Sequence, residues 1–407
     1  MHLRIDNEYD RLEAVLVHRP GPELDRLTYD NMRQFLFEDV PYLRRIQQEH
    51  DAFVDALRRE DVNVYYLRDV LADVLADANV RAELIAEVCA APLVPAVADE
   101  LAAGDHWSRD ELIDVLFAGL TAREFEQRTA RRVAAPGTDA HFLLSPIPNA
   151  YFTRDPAVVV RDAAVSCKMH HRERVRETLL IRAALEHHPT WRDNIITYGG
   201  SGEPTEDRPY TIEGGDVIIL SPQAVLVGAS ARTRSETIEL LAEKCFHFGH
   251  VQRVYEVPIP AERAFMHLDT VITVIDRGMV LWYSKVMQQV AYVHRYEALE
   301  QDGQVRARRM PEKRSLPDIL RDEFRTDLTI IDTAGGNELF ASREQRNDAA
   351  NALAVAPRTV ITYERNERTI AALEAHGVRC IGIDDSELVR GLGGPRCMTM
   401  PLRRAQP

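Results

Sequence analysis

The stretch I-E-G-G-D-V-I-I-L-S-P-Q-A-V-L-V, residues 212–227, decides the fold. Two runs of β-branched and other apolar residues flank a Ser-Pro-Gln step, which reads as a hairpin-like pair of buried strands. The next stretch with apolar residues at helical spacing is Arg234 to Phe246. Similar strand-like runs recur at Ala14 to Val17, Val62 to Tyr66, Ala157 to Val160, Ile195 to Tyr198, Val271 to Ile275, Met279 to Trp282, Leu328 to Asp332, Thr359 to Tyr363 and Val378 to Ile383. Each is bounded by Gly, Pro or Asp, as buried strands are. Tyr42 to Glu60 and Ser342 to Val355 read as further amphipathic helices. The chain is therefore predicted as α/β over most of its length, with repeated ββαβ units compatible with the pattern but not established by its loose period.

One region breaks the alternation. From Asp69 to Val133 the chain is rich in Ala, Leu, Asp, Glu and Arg, without a convincing strand, and Ser108 with Glu111 has capping-box spacing at a helix start. This predicts an all-helical subdomain, residues 69–133, inserted into an α/β body made of residues 1–68 and 134–407. No low-complexity linker separates them, so the insertion is expected to pack on its host.

The 407 residues carry a formal charge of −14, which repels polyanions and argues against nucleic acid or an acidic membrane surface as partner. The same charge attracts a small cation. Neither a secretory leader at the N-terminus nor about 18 uninterrupted apolar residues is found, so no membrane partner is expected. The five cysteines (Cys89, Cys167, Cys245, Cys380, Cys397) are scattered, odd in number and never in C-x-x-C spacing, which suits reduced thiols in a cytoplasm.

Four polar stretches interrupt the strand-rich pattern: P-N-A-Y-F-T-R-D-P (148–156), I-E-G-G-D-V (212–217), M-H-L-D-T (266–270) and G-G-P-R-C-M-T (393–399). Each places acids, a His or a Cys beside Gly or Pro, where loops leave strands. Cys397 with a histidine elsewhere is the minimum kit for thiolate catalysis. Acids around a thiol raise its pKa, so Asp155, Glu213, Asp216 and Asp269 suit a cationic substrate better than a peptide. A guanidinium offers a planar fork of donors that two carboxylates grip from separate edges, fixing its carbon before the sulfur. Blander readings stand beside these: Cys397 as a buried strand residue, His267 as a structural histidine, Glu213-Gly-Gly-Asp216 as a turn, His267 with Asp269 as part of a metal site. The doublets His170-His171 and His187-His188 read as solvated helix residues.

Taken together with L-V-H-R-P-G (16–21), F-E-D-V-P-Y-L (37–43), E-H-D-A-F (49–53) and R-E-T (176–178), these stretches resemble the arginine deiminase family over nearly the whole chain. The resemblance implies a five-bladed α/β propeller of ββαβ units around a central pocket, with a helical bundle inserted after the first blade. It implies Cys397 as nucleophile, His267 as general acid and base, Asp155 and Asp269 as guanidinium-binding carboxylates, and Glu213 beside the histidine. Asn149, Arg174 and Arg232 would recognise the amino-acid end of the substrate L-arginine, Phe152 would shape the wall, and Asp216 joins the binding set. Arg172 and Arg176 rival Arg174, and Arg234 rivals Arg232. No metal or organic cofactor is implied, and a homo-oligomer is left open. Some members carry an arginine five residues before the nucleophile, where this chain has Leu392, with Arg396 as a partial substitute. Other outcomes compatible with the same residues are an amidinotransferase or methylarginine hydrolase of the superfamily, a silent arginine-binding protein, and a metal hydrolase.

Overall fold

The hairpin at 217–227 forms: Val217–Ser221 pairs antiparallel with Ala224–Ala229, and after the helix Ser235–His247 the strand Arg253–Pro258 pairs parallel with the second. The computed structural model describes residues 1–90, 95–104, 106–134, 141–192, 194–197 and 210–406. Among them the same order of antiparallel pair, helix and parallel strand occurs four more times. Ala157–Val160, Ala163–Ser166 and Ile195–Ile196 form one such sheet around the helix Val175–His187. Ile272–Asp276, Met279–Trp282 and Thr329–Asp332 form another. Leu353–Ala356, Thr359–Tyr363 and Arg379–Ile383 follow, with the helix Glu367–Ala375 between the last two. In the fifth, Met400–Arg404 supplies the first strand from the far end of the chain, pairing with Leu12–Val17, which runs parallel to Asn63–Tyr66 after the helix Leu43–Arg59. A long hairpin, Val293–Gln301 with Gln304–Glu312, extends the sheet of 217–258 on its Arg253–Pro258 side.

Residues 67–129 carry the helices Leu67–Val74, Ala78–Ala90, Pro95–Ala103, Arg109–Ala118 and Ala122–Thr129. The capping box at Ser108 forms with Glu111, and a second one joins Thr121 and Glu124. Their buried side chains, among them Leu71, Ile113, Leu116 and Phe125, share one apolar core with Val158, Val165 and Leu180 of the neighbouring sheet and helix. At ~1.5–3 kcal/mol for each large side chain taken fully out of water, this shared core holds the helices to the sheet.

Several elements differ from their sequence reading. The helix at Ser342 to Val355 ends early: it spans Glu338–Gln345, the chain turns at Asp348 with φ +52°, and Leu353–Ala356 is a strand. Asn and Asp tolerate left-handed backbone and bond locally, so N-D at 347–348 stops the helix. Within 69–133 the two-residue strand Leu120–Thr121 pairs with Phe142–Leu144. Tyr198, at the end of a predicted strand, lies outside the described residues, as do 91–94, 105 and 135–140 near the helical segment. Among the described residues no helix is long and apolar enough to cross a membrane.

Candidate active site

The five sheets each send one loop toward a common cavity, always the loop that enters the first strand. Asp155 precedes Ala157–Val160, Glu213 and Asp216 precede Val217–Ser221, His267 and Asp269 precede Ile272–Asp276, Asn351 precedes Leu353–Ala356, and Cys397 precedes Met400–Arg404. Three of these loops make a single turn of 3-10 helix, Pro148–Tyr151, Gly214–Asp216 and Leu268–Thr270, which turns the polar side chains away from the sheets. The repeat thus supplies equivalent positions, and the sequence varies the chemistry at each.

A cavity lined by Asn149, Phe152, Asp155, Arg174, Arg232, His267 and Cys397 results, closed by Leu36, Met266 and Leu392. Its free volume is about 20 Å³, room for a water molecule, so a ligand the size of an amino acid enters only after the wall moves. The Cys397 sulfur lies 4.0 Å from Asp269 Oδ2, and its backbone N–H donates to Asn351 Oδ1 at 3.1 Å. Burial, reinforced by the charges of Asp269 and Asp155, pushes the Cys397 thiol well above its ordinary pKa. The thiol is therefore protonated until a positive charge joins the acids.

His267 is held from both sides. Its Nε2 lies 2.7 Å from Glu213 Oε2 and its Nδ1 lies 3.5 Å from Asp155 Oδ1. Burial opposes the imidazolium, but the Asp155 charge and the Glu213 hydrogen bond outweigh it and raise the histidine to about 9. Glu213 itself stays ionised: although burial works against its charge, Arg232 at 3.3 Å and the His267 bond hold it well below the usual carboxylate range. The backbone N–H of His170 also donates to Glu213 Oε1 at 2.9 Å, so the doublet His170-His171 is a loop element rather than a solvated helix. Gly215 lies under the ring; a Cβ there would sit 2.7 Å from His267 Cγ and Nδ1.

Two buried carboxylates are each half occupied. Arg174 donates from Nη1 to Asp155 Oδ2 at 2.7 Å, and Arg396 from Nη1 to Asp269 Oδ2 at 2.5 Å. The second oxygens, Asp155 Oδ1 and Asp269 Oδ1, accept no hydrogen bond among the described residues and are sealed from solvent. A buried acceptor left unpaired costs about 1–3 kcal/mol, so these two atoms mark where donors of a bound cation gain most. Asp155, Glu213 and His267 also lie close enough to ligate a metal ion. Glu213, however, already faces two guanidiniums, those of Arg232 and Arg174 at 3.3 and 3.9 Å, whose positive charges oppose a further cation there.

The rival arginines separate cleanly. Arg174 and Arg232 are buried at the cavity, while Arg172 and Arg234 are exposed and Arg176 reaches away to the carbonyl of Ser145. Asn149 lines the cavity with its amide donating to the Phe35 carbonyl at 2.7 Å. Asp216 is not in the lining: its Oδ1 accepts from Leu268 N–H at 2.8 Å and its Oδ2 from Ser230 Oγ at 2.7 Å, so it fixes the His267 loop from behind. Leu392 takes φ +62° and lines both the cavity and an outer vestibule of about 480 Å³ that shares Met266 and Thr270 with it. Arg396 does not replace the missing gate charge; its other nitrogen is committed to Glu8 and the Val217 carbonyl, both at 3.2 Å. Asn351, which also donates to the Asp269 carbonyl at 3.0 Å, was not singled out in the sequence because N-D-A-A-N falls within the stretch Ser342 to Val355 that reads as an amphipathic helix.

The sequence model of the family described as arginine deiminase matches residues 33–404. Proteins named arginine deiminase from Listeria monocytogenes (strain HCC23) and Bacillus cytotoxicus are each 35% identical to this chain, covering 99% of it and 98% of their own lengths. Among solved structures, an amidinotransferase of the saxitoxin biosynthetic pathway of Microseira wollei is similar in fold at 16% identity and a TM-score of 0.59, covering 100% of this chain and 98% of its own. A dimethylarginine dimethylaminohydrolase from Pseudomonas aeruginosa, solved as a mutant with citrulline, is similar at 15% identity and a TM-score of 0.53, covering 96% and 99%.

Proposed function

This chain belongs to the arginine deiminase family, and from that premise we propose that it hydrolyses L-arginine to L-citrulline and ammonia through a covalent intermediate on Cys397. The observation that carries the mechanism is the pair of buried oxygens that accept no hydrogen bond, Asp155 Oδ1, with only His267 Nδ1 3.5 Å away, and Asp269 Oδ1, beside a buried thiol and a charged histidine. A guanidinium bridging the two acids presents its carbon to the sulfur, and its charge offsets the carboxylates that keep the thiol protonated. Once the cation is bound the Cys397 thiol loses its proton to solvent and adds as thiolate to that carbon, and His267, already an imidazolium, donates a proton so that ammonia leaves, to be protonated to ammonium in solution. An S-alkylthiouronium remains on the sulfur. The neutral His267 then takes a proton from water, the resulting hydroxide adds to the same carbon, and collapse to citrulline returns the thiol. Glu213 stabilises the charged histidine in the first half, and Arg232 keeps Glu213 ionised. Arg232, Asn149 and Phe152 face the remaining part of the substrate, and Arg174 must yield part of its grip on Asp155 as the substrate guanidinium arrives.

The five sheets, alike in strand order and sending equivalent loops to one cavity, support a five-bladed α/β propeller. The run of helices from Leu67 to Thr129 supports an inserted helical subdomain spanning residues 69–133 between blades. Unpaired cysteines support a reducing compartment, the cytoplasm. The reaction is tested by measuring citrulline and ammonia from L-arginine, agmatine and dimethylarginine in parallel. Arginine is expected to give the highest kcat/KM; arginine as the poorest of the three overturns the reading in favour of another guanidine-modifying activity.

A further inference from the structure

A cleft of about 720 Å³ lies between the helices Glu338–Gln345 and Glu367–Ala375, away from the catalytic residues, and four of the eight residues lining it are arginines: Arg343, Arg346, Arg365 and Arg368. In a protein of net charge −14 this is a local reversal of sign. Arg365 is paired with Asp385 at 2.9 Å and Arg346 acts on the charge of Asp348, beside which it also lines the vestibule, but Arg343 and Arg368 have no carboxylate partner among the described residues. The Arg368 guanidinium lies 3.4 Å over the Phe340 ring, a stack that fixes its plane and leaves the N–H donors at its edge unspent. The buried lining acid, Glu344, does not neutralise the arginines through ion pairs. Its oxygens accept from the backbone N–H groups of Arg368 and Thr369 at 2.9 Å and from Thr369 Oγ1 at 2.6 Å, capping the second helix. With Glu367 as the other lining acid, four positive charges face two negative ones. The volume falls in the range of small-molecule sites.

We propose that this cleft binds a small ligand bearing two or more phosphoryl groups, and that its occupancy is felt at Cys397. Planar guanidiniums pair with phosphoryl oxygens two at a time, and four of them in one concavity, two without carboxylate partners, suit a ligand of several negative charges. A long polyanion is disfavoured by the net charge of −14 on the chain as a whole, whereas a compact one fits within the field of the cleft. The route to the thiol is short and hydrogen-bonded. Asn366, at the start of the second helix, donates to the Asn347 carbonyl at 2.9 Å. In the segment that runs on from Arg343 and Arg346, Gln345 donates to the Thr270 carbonyl at 2.8 Å, and Asn351 holds both the Asp269 carbonyl and the Cys397 N–H. Movement of that segment shifts the nucleophile and one guanidinium-binding acid together.

Equilibrium dialysis of the full chain with inorganic pyrophosphate at fixed ionic strength tests the site. Saturable binding is expected, weakened at least about tenfold in the double variant Arg343→Gln, Arg368→Gln, and unchanged in Arg306→Gln, Arg308→Gln on the exposed hairpin. Binding that does not saturate, or that falls equally in both double variants, overturns the proposal. Citrate bound as tightly as pyrophosphate overturns the phosphoryl class, and a single-stranded oligonucleotide bound more tightly overturns the small ligand. The link to the thiol is read as the rate of Cys397 alkylation by iodoacetamide, without arginine. Saturating pyrophosphate is expected to change it at least about twofold in the unaltered protein and to leave the Arg343→Gln, Arg368→Gln variant unaffected. An unchanged rate in the saturated protein overturns the link.

Discussion

Replacing Glu213 by Gln removes the charge 2.7 Å from His267 Nε2 while keeping the side chain's shape and an oxygen for the His170 N–H. In the folded protein the histidine titrates at about 9 against an ordinary 6.5, a difference set by Asp155 and Glu213 against the opposing burial. That difference is worth on the order of 3 kcal/mol. Glu213 acts twice, as hydrogen-bond acceptor and as charge, whereas the burial that disfavours the imidazolium survives the substitution. The midpoint is therefore expected to fall by about two pH units, toward or below neutrality. The sign follows from the direction of the original shift. The raised pKa means that the imidazolium favours the folded site fully below about 6.5 and ceases to do so as pH rises through about 9. In the variant this loss occurs near neutral pH, so the proton donor for ammonia is absent where the unaltered enzyme is active. Carbon-13-labelled histidine followed by NMR reads the His267 midpoint directly, and the alkaline limb of kcat/KM reads its kinetic counterpart. A variant midpoint within about half a pH unit of the original refutes the assignment of Glu213 as the group that holds the charge.

Arg396→Leu strands Asp269 and Glu8, both buried, without their shared cation; urea denaturation should show a loss of about 3–5 kcal/mol, and a loss below about 1 kcal/mol contradicts the structural reading. Asp269→Asn removes a charge that opposes the Cys397 thiolate, so iodoacetamide should alkylate Cys397 about tenfold faster at pH 8 while citrulline formation is abolished; slower alkylation contradicts it. Gly215→Ala pushes a methyl group into the His267 ring and is expected to lower kcat/KM about a hundredfold with the fold retained, checked by rate and circular dichroism together. Activity is expected to survive prolonged dialysis against a chelator, because the Asp155, Glu213 and His267 atoms within metal-binding reach of one another are engaged by arginines and by the imidazole proton.

The strands that the sequence revealed are those with unbroken β-branched runs, such as Val217–Ser221 and Thr359–Tyr363. Ala163–Ser166 and Leu353–Ala356 were hidden because alanine carries no strong strand preference, and the hairpin Val293–Glu312 because its largely exposed, charged residues bury little. Met400–Arg404 finds its partner at Leu12–Val17, and a pairing that spans the chain leaves no local periodicity to read. Likewise the acids, the histidine and the thiol stood out as polar residues in strand-bounded loops, but their pairing did not. That Arg174 and Arg396 each take one oxygen of a carboxylate, and that Asp216 faces away from the cavity, depends on side-chain directions that spacing does not encode.

In the proposed mechanism Cys397 forms a covalent bond to the guanidinium carbon of arginine. Acid quenching of the protein during turnover with L-arginine labelled with carbon-13 at that carbon, followed by peptide mass spectrometry, tests it most directly. An adduct is expected on the Cys397 peptide with the mass of labelled arginine less that of ammonia, retaining the label and absent from Cys397→Ser. Citrulline released at full rate by Cys397→Ser, or a labelled adduct on any other residue in place of Cys397, would contradict it.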